Sequence, residues 1–142
     1  MNLSRIIKNH EIWFHSMGEK GKKADLRGMD LQNTEFKNAR LIEADLMGGN
    51  FSSSNFSGAD LRGANLRDAN LSNAVFCSAN LEEVDLTWSN SKGVDFSGAN
   101  MNGSYLGGAD LRGAKGLLLE QVAVALMDEE TILPDYLNDK LA

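Results

Sequence analysis

The residues best suited to metal chemistry lie together near the start of the chain, at His10, Glu11 and His15. A zinc-peptidase helix places its two histidines four residues apart, so that both imidazoles lie on one face and bind the same ion. The two histidines of this chain are five residues apart. We therefore predict that these residues form a solvated helix face and not a metal site.

Candidate nucleophiles are present, but none has the neighbours that activation requires. Cys77 is the single cysteine, and its sequence neighbours include no histidine, lysine or arginine that would lower its pKa. The serines lack a Gly-x-Ser-x-Gly turn, and no glycine-rich loop precedes a helix in the manner of a phosphate site. We predict an inert thiol, no catalytic residue, no cofactor and no metal ion.

Acidic side chains recur in one register of the chain. Asp25, Asp45 and Asp85 share a spacing of twenty residues or a multiple of it, and Asn65 interrupts the series. Like charges that stack at strand spacing repel each other. We predict solvated structural carboxylates at these positions, with weak cation binding as the alternative.

A five-residue repeat must position all of these groups. From Leu26 to Leu111 a large apolar residue stands at every fifth position, and Ser91 is the one polar exception among eighteen. Alanine precedes this central residue by two places in ten units, Asp or Asn lies between them in fourteen, and glycine follows by two places in nine. The small and large residues therefore face one side of a short extended segment, and a corner follows. Such segments bury their apolar side only by coiling and stacking.

The spacing of twenty residues indicates how many units make one coil. At this spacing the aromatic centres form one column, the predicted core ladder of Phe36, Phe56, Phe76 and Phe96. Three units per coil would scatter this set. We predict a four-sided coil of about four and a half turns, roughly 20 Å long at ~4.8 Å per layer.

The motifs Ala59-Asp60-Leu61-Arg62-Gly63 and Ala64-Asn65-Leu66 resemble those of the pentapeptide-repeat family, and the resemblance covers residues 24–113. It implies an all-β fold, a right-handed quadrilateral β-helix. We divide the chain into a helical cap and linker (1–23), the β-helix (24–115), and a C-terminal helix and tail cap (116–142). The segment Leu133-Pro134-Asp135, which follows an acidic run, is similar to the end of many bacterial members.

Both ends of a solenoid need caps, because the outer coils otherwise expose their core. Apolar residues at helical spacing predict a helix within residues 3–17. After Gly116, residues 117–127 have the pattern of a short apolar helix, and residues 128–137 that of an extended tail. We expect the C-terminal cap to pack on the last coil or on another subunit, which would give a homodimer through an end cap.

Charge is spread unevenly along the chain, whose net charge is −6. Residues 1–23 hold five basic and two acidic side chains, whereas residues 116–142 hold one basic and six acidic side chains. No basic stripe collects phosphates, so we expect no direct binding of nucleic acid. The apolar runs are too short for a bilayer and the first residues too charged for a signal peptide, so we expect a cytoplasmic protein that binds no membrane.

The break in the repeat at residues 87–91 marks a candidate contact surface. Ser91 places a hydroxyl at a core position, which requires a hydrogen-bond partner or a local bulge. Trp88 falls on a corner that faces solvent. We predict an exposed interaction surface made of Met47, Trp88 and Tyr105. The alternative is that Trp88 folds over the space left by Ser91.

A rigid rod without catalytic groups favours a non-catalytic protein-interaction scaffold with an unknown protein partner. The resemblance implies a second hypothesis, because the quinolone-resistance members of the family mimic DNA and bind type II topoisomerases such as gyrase. Three features weigh against it: the short stack, the lack of loop insertions, and basic residues among the outward acids. These residues are Lys37, Arg62, Arg67 and Arg112. No residues support the third hypothesis, an enzyme.

Overall fold

The repeat unit is stabilised locally by a hydrogen bond from its backbone to one of its own side chains and by a left-handed backbone corner. The Asp or Asn before the centre accepts a hydrogen bond from the N–H two residues later, as Asn70 Oδ1 does from Ser72 N at 3.1 Å. The second residue after the centre has a positive φ in all eighteen units. Glycine holds nine of these positions and other residues hold nine. The corner is therefore formed by the whole unit and does not require glycine. The Asn or Asp side chain accepts a hydrogen bond from the backbone and so acts as a backbone carbonyl would in a turn.

The computed structural model, which describes residues 2–141, stacks these units into a four-sided coil. Fifteen parallel bridges join residues that are twenty apart, from Asp25–Asp45 to Asp95–Lys115. Each side of a coil contributes one bridging residue per layer and no longer strand. The predicted four units per coil are thereby confirmed.

The predicted aromatic ladder runs through the core as one stack. Phe36, Phe56, Phe76 and Phe96 are all buried. The centroids of successive rings lie 4.5, 4.8 and 6.0 Å apart, and Phe51 meets two of the rings edge-on. Each aromatic pair contributes about 0.5–1.5 kcal/mol beyond the burial of its area.

Ser91 keeps its core position by pairing with a second hydroxyl. Ser89 and Ser91 are both buried, and their Oγ atoms lie 2.8 Å apart. The bridges Asn70–Asn90 and Asn90–Asp110 hold the register on this side of the coil. The serine is therefore accommodated by a hydrogen bond and not by a bulge.

The N-terminal cap is helix α1 (Leu3–His15), which lies across the first coil. The side chain of Asn2 caps the helix by accepting a hydrogen bond from Arg5 N at 3.0 Å. Leu3, Ile6 and Ile7 pack against the core of the coil. The opposite side of α1 therefore faces away from the rod.

His10 fastens α1 to both ends of the first coil. Its side chain is only 1% exposed. Nδ1 accepts a hydrogen bond from Ala24 N at 2.9 Å, and Nε2, which then carries the hydrogen, donates to Ile42 O at 2.8 Å. The prediction of a solvated helix face is wrong for His10, because a neutral imidazole with both nitrogens bonded closes the coil. Glu11 is half-buried and His15 is exposed.

The C-terminal cap continues the coil before it becomes helical. Helix α2 spans only Leu119–Ala123, and the prediction of a helix over 117–127 is wrong in its length. The reason is that the following residues bond to the open edge of the last coil, where Leu126 pairs with Tyr105 and Ile132 with Asp110. The Gln121 amide also caps this edge by donating to Phe96 O at 2.8 Å.

Helix α3 (Asp135–Leu141) completes the cap. It begins after Pro134, whose fixed φ and missing N–H suit the start of a helix. The prediction of an extended tail as far as residue 137 is therefore wrong for its last residues. Leu137 is fully buried and closes the core from this end.

We expect the free energy of unfolding to fall as the pH drops from about 7 to about 5. Burial lowers the pKa of His10 from 6.5, so the unfolded chain takes up a proton before the folded chain does. The stability that His10 provides is complete above its unfolded pKa and is lost as the pH falls through the lower folded value. The loss reaches at most about 1.4 kcal/mol per pH unit.

Urea unfolding of the His10→Gln variant checks this expectation. Glutamine retains a donor for Ile42 O but does not titrate, so its unfolding free energy should be nearly constant over the same pH range. The control is His15→Gln on the exposed side of α1, which should keep the wild-type dependence. A wild-type pH dependence in His10→Gln would contradict the role given to His10.

Candidate functional site

One face of the rod changes from polar to apolar towards its C-terminal end. The bridging residues stacked on this face are, in order, Asp25, Asp45, Asn65, Asp85, Tyr105 and Leu126. The last two break the polar series and are 46% and 53% exposed. Together with Trp88 and Met127, which are also exposed, they are called the C-terminal apolar patch below.

Trp88 stands at the corner that follows Asp85. Its φ is 59°, a left-handed conformation that costs a residue with a side chain about 1–2 kcal/mol. The side chain is 52% exposed, and its indole ring lies across Gly108 of the next coil, where an added Cβ would be 2.5 Å from the ring. The indole thus rests on the outside of the coil, while Ser91 is paired inside it with Ser89.

Met47 lies on the same face but apart from the patch. Backbone hydrogen bonds from Gly48 N to Arg67 O and from Asp68 N to Thr87 O define the column in which it stands. Arg67 therefore lies in the layer between Met47 and the coil that contains Trp88. Two layers separate Met47 from that coil, a distance of about 10 Å. Of the three predicted surface residues, the structure brings Trp88 and Tyr105 to adjoining coils and leaves Met47 two coils below.

Leu126 and Met127 belong to the patch, and neither was predicted from the sequence to lie on this surface. The apolar run over 117–127 predicted that they lie in a helix. Leu126 follows Tyr105 by twenty-one residues and Ile132 follows Asp110 by twenty-two, so neither fits the period of twenty. The near-match in spacing was the one signal in the sequence that these residues extend the coil.

Carboxylates surround the apolar patch. Asp85 lies one layer below Tyr105. Asp68 lies one layer below Trp88, and its carboxylate is 3.9 Å from Arg67 Nε. Above Trp88, Asp128 accepts a hydrogen bond from Gly108 N at 3.1 Å. The N–H of Gly108 and that of Glu130 hold the pKa of Asp128 below its usual value, so it is an anion at neutral pH. Exposed aromatic rings with adjacent anions suit the binding of Lys or Arg side chains.

The acidic series at the other end of this face is neutralised by the protein itself. Arg27 Nη2 lies 2.8 Å from Asp25 Oδ2, and Arg27 Nε lies 3.6 Å from Asp45 Oδ2. Hydrogen bonds from the Arg27 side chain and backbone lower the pKa of Asp25 to about 2. Among residues 2–141 no group of three or more His, Cys, Asp or Glu side chains converges on a metal position. The alternative of a cation site thus has no donor set here.

Cys77 is half-buried and has an acidic neighbour. Burial, followed by a hydrogen bond to Asp95, raises the pKa of its thiol. The thiol is therefore protonated at neutral pH, and a protonated thiol is a poor nucleophile.

No helix in the described part of the chain has the length and apolar character of a membrane-spanning segment.

The Gly108→Ala variant is expected to displace the Trp88 indole, because the new Cβ would lie 2.5 Å from the ring. Gly113 is the matched control: its φ of 72° is close to the 67° of Gly108, but an added Cβ meets no atom nearer than 3.7 Å. Both variants carry the cost of an alanine in a left-handed corner, about 1 kcal/mol. In a Trp13→Phe background, only Gly108→Ala should change acrylamide quenching of Trp88 fluorescence. Equal quenching of both variants would show that the indole does not rest on Gly108.

Comparison with known proteins adds independent evidence on the fold. The family model described as pentapeptide repeats matches residues 22–58, 54–90 and 92–115, with eight copies. A search of curated proteins found no match.

Two solved structures share the fold. The pentapeptide repeat protein Rfr23 from the cyanobacterium Cyanothece 51142 has a TM-score of 0.68 at 24% identity, over 77% of this chain and 87% of its own. The pentapeptide repeat protein alr5209 from Nostoc Pcc 7120 has a TM-score of 0.66 at 22% identity, over 85% and 93%. QnrB1, a plasmid-mediated fluoroquinolone resistance protein, has a TM-score of 0.40 at 20% identity, over 88% and 70%.

The family model covers more than half of the chain, and the coil has the four sides that this repeat predicts. The right-handed quadrilateral β-helix is thus the fold of this protein, and the chain belongs to the pentapeptide-repeat family.

Proposed function

We propose that the protein is a non-catalytic scaffold that binds a partner protein through the C-terminal apolar patch. The observation that carries this proposal is the replacement of Asp and Asn by Tyr105 and Leu126 on one face, beside the exposed Trp88. Trp and Tyr are enriched among the residues that dominate binding energy in protein interfaces. A regular solenoid holds them on a rigid surface, which limits the entropy lost on binding.

The backbone of Trp88 gives a second reason to assign this residue a role in binding. The corner position favours glycine, Asn or Asp, and tryptophan there costs stability. The indole lies on Gly108 and stays half exposed, so it gains less from burial than a core aromatic does. The same φ occurs at all eighteen corners, so what sets this one apart is that it holds the bulkiest side chain of the set at an exposed position.

The chemistry of the patch selects the class of partner. Asp85 and Asp128 lie beside the aromatic side chains, so a segment that carries Lys or Arg next to an apolar residue is complementary to the patch. The cation would meet both a carboxylate and an aromatic face, and the apolar residue would cover Leu126. We therefore expect binding to weaken at high salt.

The Trp88→Asn variant tests this role without damage to the fold. Asn33, Asn38 and Asn73 occupy the same corner position with positive φ, so asparagine fits the backbone, and stability should stay equal or rise by up to about 1 kcal/mol. We expect affinity for the partner to fall by a factor of about ten or more. The measurement compares proteins captured from the source cells by immobilised wild type and variant, followed by titration of the captured protein.

The control for this experiment is Ser78→Asn. Ser78 occupies the same left-handed corner position, with φ 58°, on a different side of the coil. A partner that is retained by Ser78→Asn and lost from Trp88→Asn supports the proposal. A partner that all three proteins capture equally excludes the patch as its binding site.

Gyrase binding is the alternative function, and we expect it to be absent. DNA mimicry requires a continuous negative surface, whereas Arg27, Arg62 and Arg112 each pair with a carboxylate on the rod. The likeness to QnrB1 is too low to favour it. Purified protein at about 100 μM, enough to fill a site of micromolar Kd, should leave gyrase supercoiling of relaxed plasmid unchanged. Inhibition of gyrase supercoiling that persists in the Trp88→Asn variant would favour DNA mimicry over binding through the C-terminal apolar patch.

We also propose a cytoplasmic location. It is supported by the cysteine count: Cys77 is the single cysteine, so the chain has no internal disulfide, which fits a reducing compartment.

A further inference from the structure

The N-terminal end of the rod presents a basic surface with apolar residues in it. Arg5 and Lys8 lie on the exposed side of α1, opposite the residues that pack on the coil, and Lys20 and Lys22 are exposed in the following loop. Met17 next to them is 95% exposed. Beside it lies a groove of about 490 Å³, lined by Trp13, Phe14, His15, Met17, Gly18 and Glu43. This group is called the head surface.

The C-terminal end presents the opposite charge. The side chains of Glu129, Glu130, Asp135 and Asp139 are all exposed on the tail and on α3. Tyr136 is exposed among them, although its hydroxyl is anchored by a hydrogen bond to Leu117 O at 2.9 Å. This group is called the tail surface, and it does not include Trp88 or Tyr105.

The signs of these charges select one arrangement of two copies. Two tail surfaces would bring two sets of acids together, and two head surfaces would bring two sets of bases together, so both symmetric contacts are repulsive. A head surface against a tail surface pairs bases with acids. It also offers the apolar groove at the head to Tyr136 or a neighbouring apolar side chain of the tail.

We propose that copies of this protein associate end to end, the head surface of one copy docking on the tail surface of the next. Such a contact is heterologous, and because the two surfaces lie at opposite ends of a rod it produces open chains and not a closed dimer. The inference does not rest on the proposed partner site, because Trp88 and Tyr105 lie on the side of the rod and belong to neither end surface.

The expected contact is weak. Helix α1 has thirteen residues and is therefore about 20 Å long and about 10 Å wide, so the end of the rod offers only a small area. Interfaces below about 1,200 Å² in total are typical of transient contacts. Exposed ion pairs add little each and are screened by salt. We expect association at micromolar to millimolar concentration, and we expect it to decrease as salt rises.

Charge-exchange variants of the full chain test the proposal by sedimentation velocity. The head variant is Arg5→Glu with Lys8→Glu, and the tail variant is Glu129→Lys with Glu130→Lys. The wild-type average mass should rise above the 15.5 kDa of one chain with concentration and return towards it in about 500 mM salt. Each variant alone should remain monomeric, and their equimolar mixture should recover association.

The control for net charge is Lys37→Glu with Arg67→Glu, which makes the same change as the head variant on the sides of the rod. It should associate as the wild type does. Far-ultraviolet circular dichroism checks that all variants are folded. If the average mass of the wild type stays at that of one chain up to about 1 mM protein, the proposal is overturned, because about 1 mM is the weakest affinity expected for the contact. Loss of association in the tail variant with full association in the head variant overturns it in favour of a tail-to-tail dimer.

Discussion

The left-handed corner that recurs at every fifth residue is the constraint on which the rest of this structure depends. It occurs in all eighteen units, and it turns the chain often enough that four short sides complete one coil. The preceding Asp or Asn accepts a hydrogen bond from the N–H of the residue before the corner, as Asn70 does from Ser72, so the side chain that faces outward also maintains the turn. Register, core and surface follow from this, because a period of twenty residues assigns every position to a column.

The coil was predictable from sequence because its information repeats, whereas the caps are encoded once. The Phe36 column could be found by counting, and its rings stack in the structure. His10 could not be placed this way, because its burial depends on a bond to Ile42 O, thirty-two residues away. Leu126 and Ile132 were not predicted for a related reason: they join the coil at spacings of twenty-one and twenty-two, and they stand where a regular unit has Asp or Asn.

The candidate site was partly predictable on the same grounds. Trp88 and Tyr105 stand at repeat positions that face outward, so the period alone exposes them. Met47 also faces outward, but grouping it with the other two neglected the layer of Arg67 between them. Near the patch, Asp68 lies 3.9 Å from Arg67 Nε, much as Asp25 and Asp45 at the start of the same face lie against Arg27. Among the described residues, Asp85 and Asp128 form no ion pair. The charge around each outward residue thus depends on which neighbours its column supplies, and less on the repeat itself.

The hydroxyl pair of Ser89 and Ser91 has a consequence for how the rod opens. In a solenoid, stability is close to a sum of terms from individual layers and their interfaces. A serine where the other layers bury a leucine or phenylalanine removes about 2 kcal/mol of apolar burial from that layer. We therefore expect the coil above it, with Tyr105 and the C-terminal cap, to be coupled to the rod less tightly than the lower coils are to one another, and to be the first part to open under denaturing conditions. A ligand held across Trp88 and Tyr105 would span that boundary and raise the free energy of opening it, so recognition and local order would be thermodynamically linked.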